Sequence, residues 1–147
     1  VDNASTGTYS GNWHRVDGSD RIPSWISLTG NITKAQALAA LRPTVNLQTG
    51  LTYTLALTDA ESVVERDNAA ANMTTIPLNA SVAFAVGTQV QVRAIGAGTC
   101  SVEIPTGGTL NGVDGGECTI LSQWSSVLLT QRAADAWVIE GAHGVVA

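Results

Sequence analysis

Charge is scarce in this chain of 147 residues. Charged residues make up 13% of it, the formal net charge is -5, and the 7 Lys and Arg residues form no cluster along the sequence. Proteins that bind nucleic acid or an anionic membrane carry a basic patch, so neither partner is expected. No apolar run approaches the roughly 20 residues that a membrane-spanning helix needs, and membrane insertion is therefore not expected either.

Cysteine is also scarce, with only Cys100 and Cys118 in the chain. Two cysteines are too few for a disulfide framework, and their spacing does not match a zinc site. Each alternates with apolar residues two positions further on, which places both side chains toward a core. We therefore predict two buried thiols, with a single disulfide as the alternative.

The residue types of catalytic and metal sites are sparse as well. The two histidines, His14 and His143, are predicted to be exposed and without a role, and no Gly-x-Ser-x-Gly turn of a serine hydrolase occurs. A glycosidase needs two carboxylates at a defined separation. The nearest acidic pairs are Asp17 with Asp20, Asp59 with Glu61, and Asp114 with Glu117. All three lie in predicted turns, where Asp bonds its own backbone. We predict no catalytic residue, no metal site, no cofactor and no enzymatic activity.

Hydrophobic residues, by contrast, are plentiful at 44% of the chain. This composition supports a sizeable core and is unlike that of a disordered chain. The length suits one ordinary domain with a short additional segment. Because so little charge is available to cover a monomer's surface, we expect part of the uncharged surface to be buried between subunits.

The pattern along the chain divides it near Pro43. The segment Val1–Gly30 is rich in Gly, Ser, Asn and Asp without a sustained period, which predicts an irregular arm. Strong helix formers follow at Ile32–Leu41 and predict a short helix that Pro43 ends. Ten residues are marginal for an isolated helix, so it needs packing partners. Residues 1–42 are thus an arm with a short helix, and residues 43–147 are a β domain.

In the β domain, large apolar residues recur at every second position. Leu51–Leu57 alternates in this way and predicts a strand. Gln89–Arg93 and Cys100–Ile104 flank Gly96-Ala97-Gly98, which predicts a hairpin. Further strands are predicted at Val63–Glu65, Ser81–Val86, Thr119–Gln123, Ser126–Thr130 and Ala136–Glu140. With no obvious internal repeat to indicate a solenoid, the expected fold is an all-β antiparallel sandwich or barrel-like domain.

The tryptophans and tyrosines fall into two groups. Trp124 and Trp137 adjoin apolar residues and are predicted to lie in the core. Another group lies among polar residues of the arm, where aromatic rings beside charged groups suit stacking on a sugar and bonding to its hydroxyls. This candidate glycan site comprises Tyr9, Trp13, Asp17, Asp20, Arg21 and Trp25. The alternative is that these aromatics hold the arm to the β domain or to a neighbouring chain.

Two stretches of the chain, Ile32–Pro43 and Leu51–Ala142, resemble bacteriophage tail proteins. Ile32–Pro43 is similar to a "TKAQ-x-LAAL" helix that precedes a distal domain in tail fibres, although here Arg42-Pro43 follows in place of a Gly-Tyr-Thr-Pro turn. The region Leu51–Ala142 resembles the C-terminal β domain of such proteins. Its most specific motif has Pro77, Ser81, Phe84 and Gly87 in one order and spacing, and Ala136–Gly141 resembles the "TWLLxG" ending of the same domains.

The resemblance implies a non-enzymatic tail-fibre or receptor-binding component of the virion. Such proteins are usually homotrimers that contact other tail proteins and attach to a receptor or glycan on the host surface. Their recognition surfaces vary, so no binding residue carries over to this chain. Two alternatives stay open: a purely structural trimerisation module, and a small lectin or polysaccharide-degrading domain.

Overall fold

The computed structural model describes residues 13–16, 20–23, 39 and 42–147. The chain divides into two compact units, Val1–Arg42 and Pro43–Ala147. Among the described residues, no helix is long and apolar enough to cross a membrane.

In the first unit, strands β1 (Trp13–Val16) and β2 (Asp20–Pro23) pair in antiparallel register. The prediction of irregular structure is therefore wrong for these two segments, because strands of four residues are too short to display a period of two. The predicted helix at 32–41 lies outside the described residues except for Ala39, which is helical.

The second unit consists of a seven-stranded sheet and a four-stranded sheet. The strands are β3 (Val45–Gln48), β4 (Thr52–Thr54), β5 (Ser62–Arg66), β6 (Asn72–Thr75), β7 (Gln89–Ala94), β8 (Cys100–Glu103), β9 (Thr109–Leu110), β10 (Val113–Asp114), β11 (Glu117–Thr119), β12 (Ser126–Ala133) and β13 (Ala136–Gly141). The larger sheet has the order β10-β9-β13-β12-β7-β5-β3, and the smaller has the order β11-β8-β6-β4.

Successive strands of this unit alternate between the two sheets. In the larger sheet β3, β5 and β7 are parallel, and in the smaller sheet β4, β6 and β8 are parallel. These strands therefore form three coils of a short parallel β-helix: β3 with β4, β5 with β6, and β7 with β8. Strands β11 and β12 then pair in antiparallel fashion with β8 and β7. The unit is all-β as predicted, but its sheets are mixed, so the expected antiparallel arrangement is wrong.

The predicted hairpin of β7 with β8 is also wrong, because these strands belong to different sheets. The two glycines between these strands allow the backbone to lie close against the preceding turn. A side chain at Gly96 or Gly98 would overlap the backbone of Asn68 or Ala70 in the preceding turn. The coils escape detection as a sequence repeat because their connections differ in length, with the long segment 76–88 present between only one pair of coils.

Five predicted strands lie where expected, to within one residue at most of their ends; they are β5, β7, β8, β12 and β13, of which β12 extends furthest beyond its prediction. The predicted strand at Leu51–Leu57 is shortened to β4, because the chain turns into a 3-10 helix at Leu57–Asp59. The strand predicted at Thr119–Gln123 is displaced, since β11 ends at Thr119 and only Ile120 adds an isolated bridge.

The segment Ser81–Val86 forms turns where a strand was predicted. The amides of Ser81 and Val82 both donate to the Leu78 carbonyl, at 2.9 and 3.0 Å. The aromatic ring of Phe84 meets Trp137 edge to face, with ring centroids 5.4 Å apart. Burial of that one aromatic ring, and not ladder pairing, therefore anchors the segment to the core.

The core lies between the two sheets and is contributed by alternate residues of their strands. Trp137 is 2% exposed, which confirms its predicted burial. The inward-facing residues change along the stack of coils. Asn46, Gln48 and Tyr53 face inward in the first coil, Val64, Arg66, Asn72 and Thr74 in the second, and Val90, Val92, Ala94, Cys100 and Val102 in the third. The interior thus passes from polar to apolar.

Candidate functional site

The predicted glycan residues lie almost entirely outside the described part of the chain. Tyr9, Asp17 and Trp25 fall beyond it. Trp13, Asp20 and Arg21 belong to the backbone of the β1–β2 pair, where Trp13 lies opposite Pro23 and Arg21 opposite Arg15. The antiparallel pairing brings the three residues onto one short ribbon, and the proposed stacking role of this segment stays a prediction.

Trp124, predicted to be buried, is 71% exposed. It lies in the turn formed by residues 121–125, which we call the Trp124 turn and which connects the Ile120 bridge to β12. Its φ of 65° places it in the left-handed region, which few bulky residues adopt. The predicted burial of Trp124 rested on its apolar neighbours Ile120 and Leu121, and no sequence pattern indicates this turn conformation.

The Trp124 turn is held by hydrogen bonds to the end of β7. The Trp124 amide donates to the Ala94 carbonyl at 2.6 Å, and the Ala94 amide donates to the Ser125 carbonyl at 3.0 Å. The side-chain amide of Gln123 donates to the Ile95 carbonyl at 2.8 Å. Because strand β7 is central in its sheet, the turn presents its exposed indole from a rigid base.

A second exposed apolar surface lies on the first coil. Val45, Leu47, Leu51 and Leu57, which we call the first-coil rim, are each more than half exposed. They account for four of the eight large apolar residues that are exposed in residues 42–147. Strands β3 and β4 also form one edge of each sheet, so among the described strands their outer backbone groups have no ladder partner. Apolar surface and open edges thus coincide.

The interior of the first coil contains a polar network centred on Asp59, which is 1% exposed. Its carboxylate accepts hydrogen bonds from the Asn46 amide at 2.7 Å, the Tyr53 hydroxyl at 2.8 Å and the Ala56 backbone amide at 2.8 Å. Burial and the bond to Asp59 raise the pKa of Tyr53 to about 12. Asp59 therefore acts as a structural acceptor, consistent with the prediction that this acidic residue bonds its own backbone.

Arg66 is buried in the second coil without a carboxylate partner among the described residues. Its guanidinium donates to the carbonyls of Gly50 and Met73, at 2.9 and 3.2 Å, and lies 5.9 Å from the centre of the Tyr53 ring. Burial lowers its pKa, an effect opposed by the nearby Cys100 thiol. The arginine thus links the backbones of neighbouring turns and is 1% exposed.

Both cysteines are buried and unbridged, which confirms the prediction of two buried thiols. Burial raises the pKa of Cys100, and burial together with the neighbouring Glu117 raises the pKa of Cys118 to about 11. Thiols are the unreactive form of cysteine. The arrangement therefore favours packing over nucleophilic chemistry.

The other acidic and histidine side chains have local structural contacts. Asp114 accepts a hydrogen bond from the Gly107 amide at 2.8 Å, as expected for a turn. His143, predicted to be exposed, is half-buried because it bridges Ile120, and its Nδ1 donates to the Gly144 carbonyl at 2.6 Å. Within the described residues, no group of three or more His, Cys, Asp or Glu side chains is arranged to hold a metal ion.

Neither a scan against protein-family models nor a search of curated proteins finds a match to this chain.

Proposed function

We propose that this chain is a structural and receptor-binding component of a phage tail appendage, acting in the virion as a non-enzymatic homotrimer that attaches to a host-surface glycan. The exposed apolar residues of the first-coil rim support a contact between subunits. Its four apolar side chains are costly to expose to water, at about 25 cal/mol for each Å² of apolar surface. Contact between copies of the chain would cover them.

The residues that carry the family resemblance support this proposal, because they occupy demanding positions in the β domain. Phe84 packs edge to face on Trp137. Gly87 has a φ of 94°, which a residue with a side chain rarely adopts, and its amide donates to the Gln131 carbonyl at 2.8 Å. A motif with such physical requirements is better evidence of a shared scaffold than one of freely exchangeable surface residues.

Molecular mass in solution tests the trimer. We expect light scattering to give three times the monomer mass for the full chain, and a lower mass for Leu47→Lys, which places a charge on the rim. Val86→Lys is the matched control, because Val86 is also more than half exposed but lies outside the first coil. A folded monomer of the unsubstituted chain at low concentration would overturn the trimer.

Attachment is tested by binding of the labelled protein to intact host bacteria. Trp13→Ala and Trp25→Ala should weaken binding without changing mass or thermal stability, and three copies per trimer amplify each weak contact. A trimer that binds no cells would favour the structural trimerisation module. Release of reducing sugar ends from a host polysaccharide would favour the polysaccharide-degrading domain.

A further inference from the structure

We propose that the Trp124 turn is a binding site for neutral hexopyranose chains. This inference rests on the proposed attachment function and adds a site within the β domain to the one proposed in the arm. Its basis is the combination of an exposed indole, an unfavourable backbone conformation and a rigid set of supporting hydrogen bonds.

Two features of Trp124 are unfavourable for folding. The indole is 71% exposed, and a φ of 65° costs free energy for any residue with a bulky side chain. Gly or Asn would satisfy this turn with less strain. Strained backbone at an exposed position clusters at sites of ligand contact, where the surrounding structure holds the strained residue in place. Here three contacts hold it: the hydrogen bond from the Trp124 amide to the Ala94 carbonyl, the bond from Gln123 to the Ile95 carbonyl, and the bonds between Ser122 and Ser125.

The residues around Trp124 define the class of ligand. The flat indole face suits the apolar face of a pyranose ring, and Leu121, which is also exposed, extends the apolar surface. Hydroxyls of Ser122 and Ser125, 2.7 Å apart, and the side-chain carbonyl of Gln123 provide hydrogen-bonding groups for sugar hydroxyls.

Charge favours a neutral saccharide over an acidic one. The turn itself contains no charged residue. The cation nearest to it on β7, Arg93, is already paired with Glu65 at 2.9 Å. An acidic polysaccharide would therefore meet no unpaired arginine on that strand.

The test is a titration of the full chain, followed by the NMR signal of the Trp124 indole N–H, which Trp124→Phe identifies by its loss. The probes are maltohexaose, cellohexaose and chitohexaose at about 10 mM, above the millimolar Kd of a weak single site. We expect at least one of them to shift the indole signal. Trp124→Ala should weaken that binding at least tenfold, Trp124→Phe should retain most of it, and Val86→Ala should leave it unchanged.

Stability separates ligand contact from packing. Trp124→Gly relieves the strained φ, so it should leave the thermal midpoint unchanged or raise it while abolishing saccharide binding. A lowered midpoint in Trp124→Gly, or a lower molecular mass, would assign Trp124 to packing or to a subunit contact and overturn the proposal. Absence of a shift with all three saccharides, or tighter binding of polygalacturonate than of the neutral probes, would also overturn it.

Failure of the saccharide titration can be distinguished from failure of the cell-attachment test. If saccharide binding fails but the trimer still attaches to host cells, only the Trp124 site is removed. If the trimer never attaches to cells, the attachment function fails, while the titration still decides whether the turn binds sugar.

Discussion

The first and third coils of the β domain share one geometry but have opposite interiors. In the first coil, Asn46 and Tyr53 face inward and meet Asp59, whereas in the third coil Val92 and Val102 face inward and are fully buried. The first coil satisfies its inward-facing polar groups by hydrogen bonds to one buried carboxylate, whereas the third coil encloses apolar side chains. Inward orientation and hydrophobicity are therefore separate properties of a strand in this fold.

The stability of the protein should be most sensitive to truncation of side chains in the apolar part of the core. Leu129→Ala, in β12 opposite Val90, should reduce the free energy of unfolding by about 2 to 5 kcal/mol, because it removes buried methyl groups and leaves a cavity. Denaturant unfolding measures this loss. Thr130→Ala, the neighbouring outward-facing residue, is the control and should cost less than about 0.5 kcal/mol. Equal losses for the two variants would contradict the assigned core.

The stability of the first coil should depend on the carboxylate of Asp59. Asp59→Ala leaves three donors without their acceptor and should cost about 2 to 3 kcal/mol of unfolding free energy, the range for a hydrogen-bonded charged group. Asp114→Ala, which removes one exposed turn bond, should cost less than about 1 kcal/mol. If both substitutions cost the same in denaturant unfolding, the network is not a stabilising feature of the first coil.

Alkaline pH should destabilise the folded protein, in part through Tyr53 at the polar end. The pKa of Tyr53 is raised from 10.0 to about 12, so the folded state holds this proton more tightly than the unfolded state. The resulting stability is fully present below pH 10 and is lost as the pH rises toward 12. Because the ring is partly exposed to solvent, we expect about 1 to 2 kcal/mol.

Unfolding curves measured from pH 8 to pH 12 test this prediction. Tyr53→Phe should lose less stability than the unsubstituted chain between pH 10 and 12. Cys118 contributes with the same sign in a lower window, because its pKa is raised from 9.0 to about 11. Cys118→Ala should therefore flatten the decline that begins near pH 9. A profile that none of these substitutions alters would refute both assignments.

The smallest effect is expected at the opposite edge of the four-stranded sheet, where two acidic residues lie side by side on neighbouring strands. Glu117 in β11 lies directly across from Glu103 in β8, and like charges in that position are destabilising. Glu117→Thr should raise the unfolding free energy by about 0.2 to 1 kcal/mol at low salt, and less at high salt. Glu140→Thr is the control, since Glu140 faces Leu128. Equal effects would show that the acidic pair is not the cause.

Two residues illustrate what could and could not be predicted about the candidate sites. Trp137 follows the alternation of β13, and its burial was predicted correctly. Trp124 follows the apolar Ile120-Leu121, but it lies in a turn with a left-handed φ and is exposed, so apolar neighbours along the chain misplaced it. The Asp59 network was likewise missed, because its donors are separated along the chain and only the coil brings Asn46 to the carboxylate.

The sequence was enough to predict the all-β class of the described domain, the positions of β5, β7, β8, β12 and β13, and the burial of Cys100, Cys118 and Trp137. These features depend on local alternation, which is written into neighbouring residues. Only the tertiary structure decided which strands pair. An inward-facing residue has the same pattern in a hairpin and in a β-helix, and the choice between them at Gly96 and Gly98 depends on contact with Asn68 and Ala70 in the preceding turn. Such contacts join residues far apart in the chain, where no local period records them.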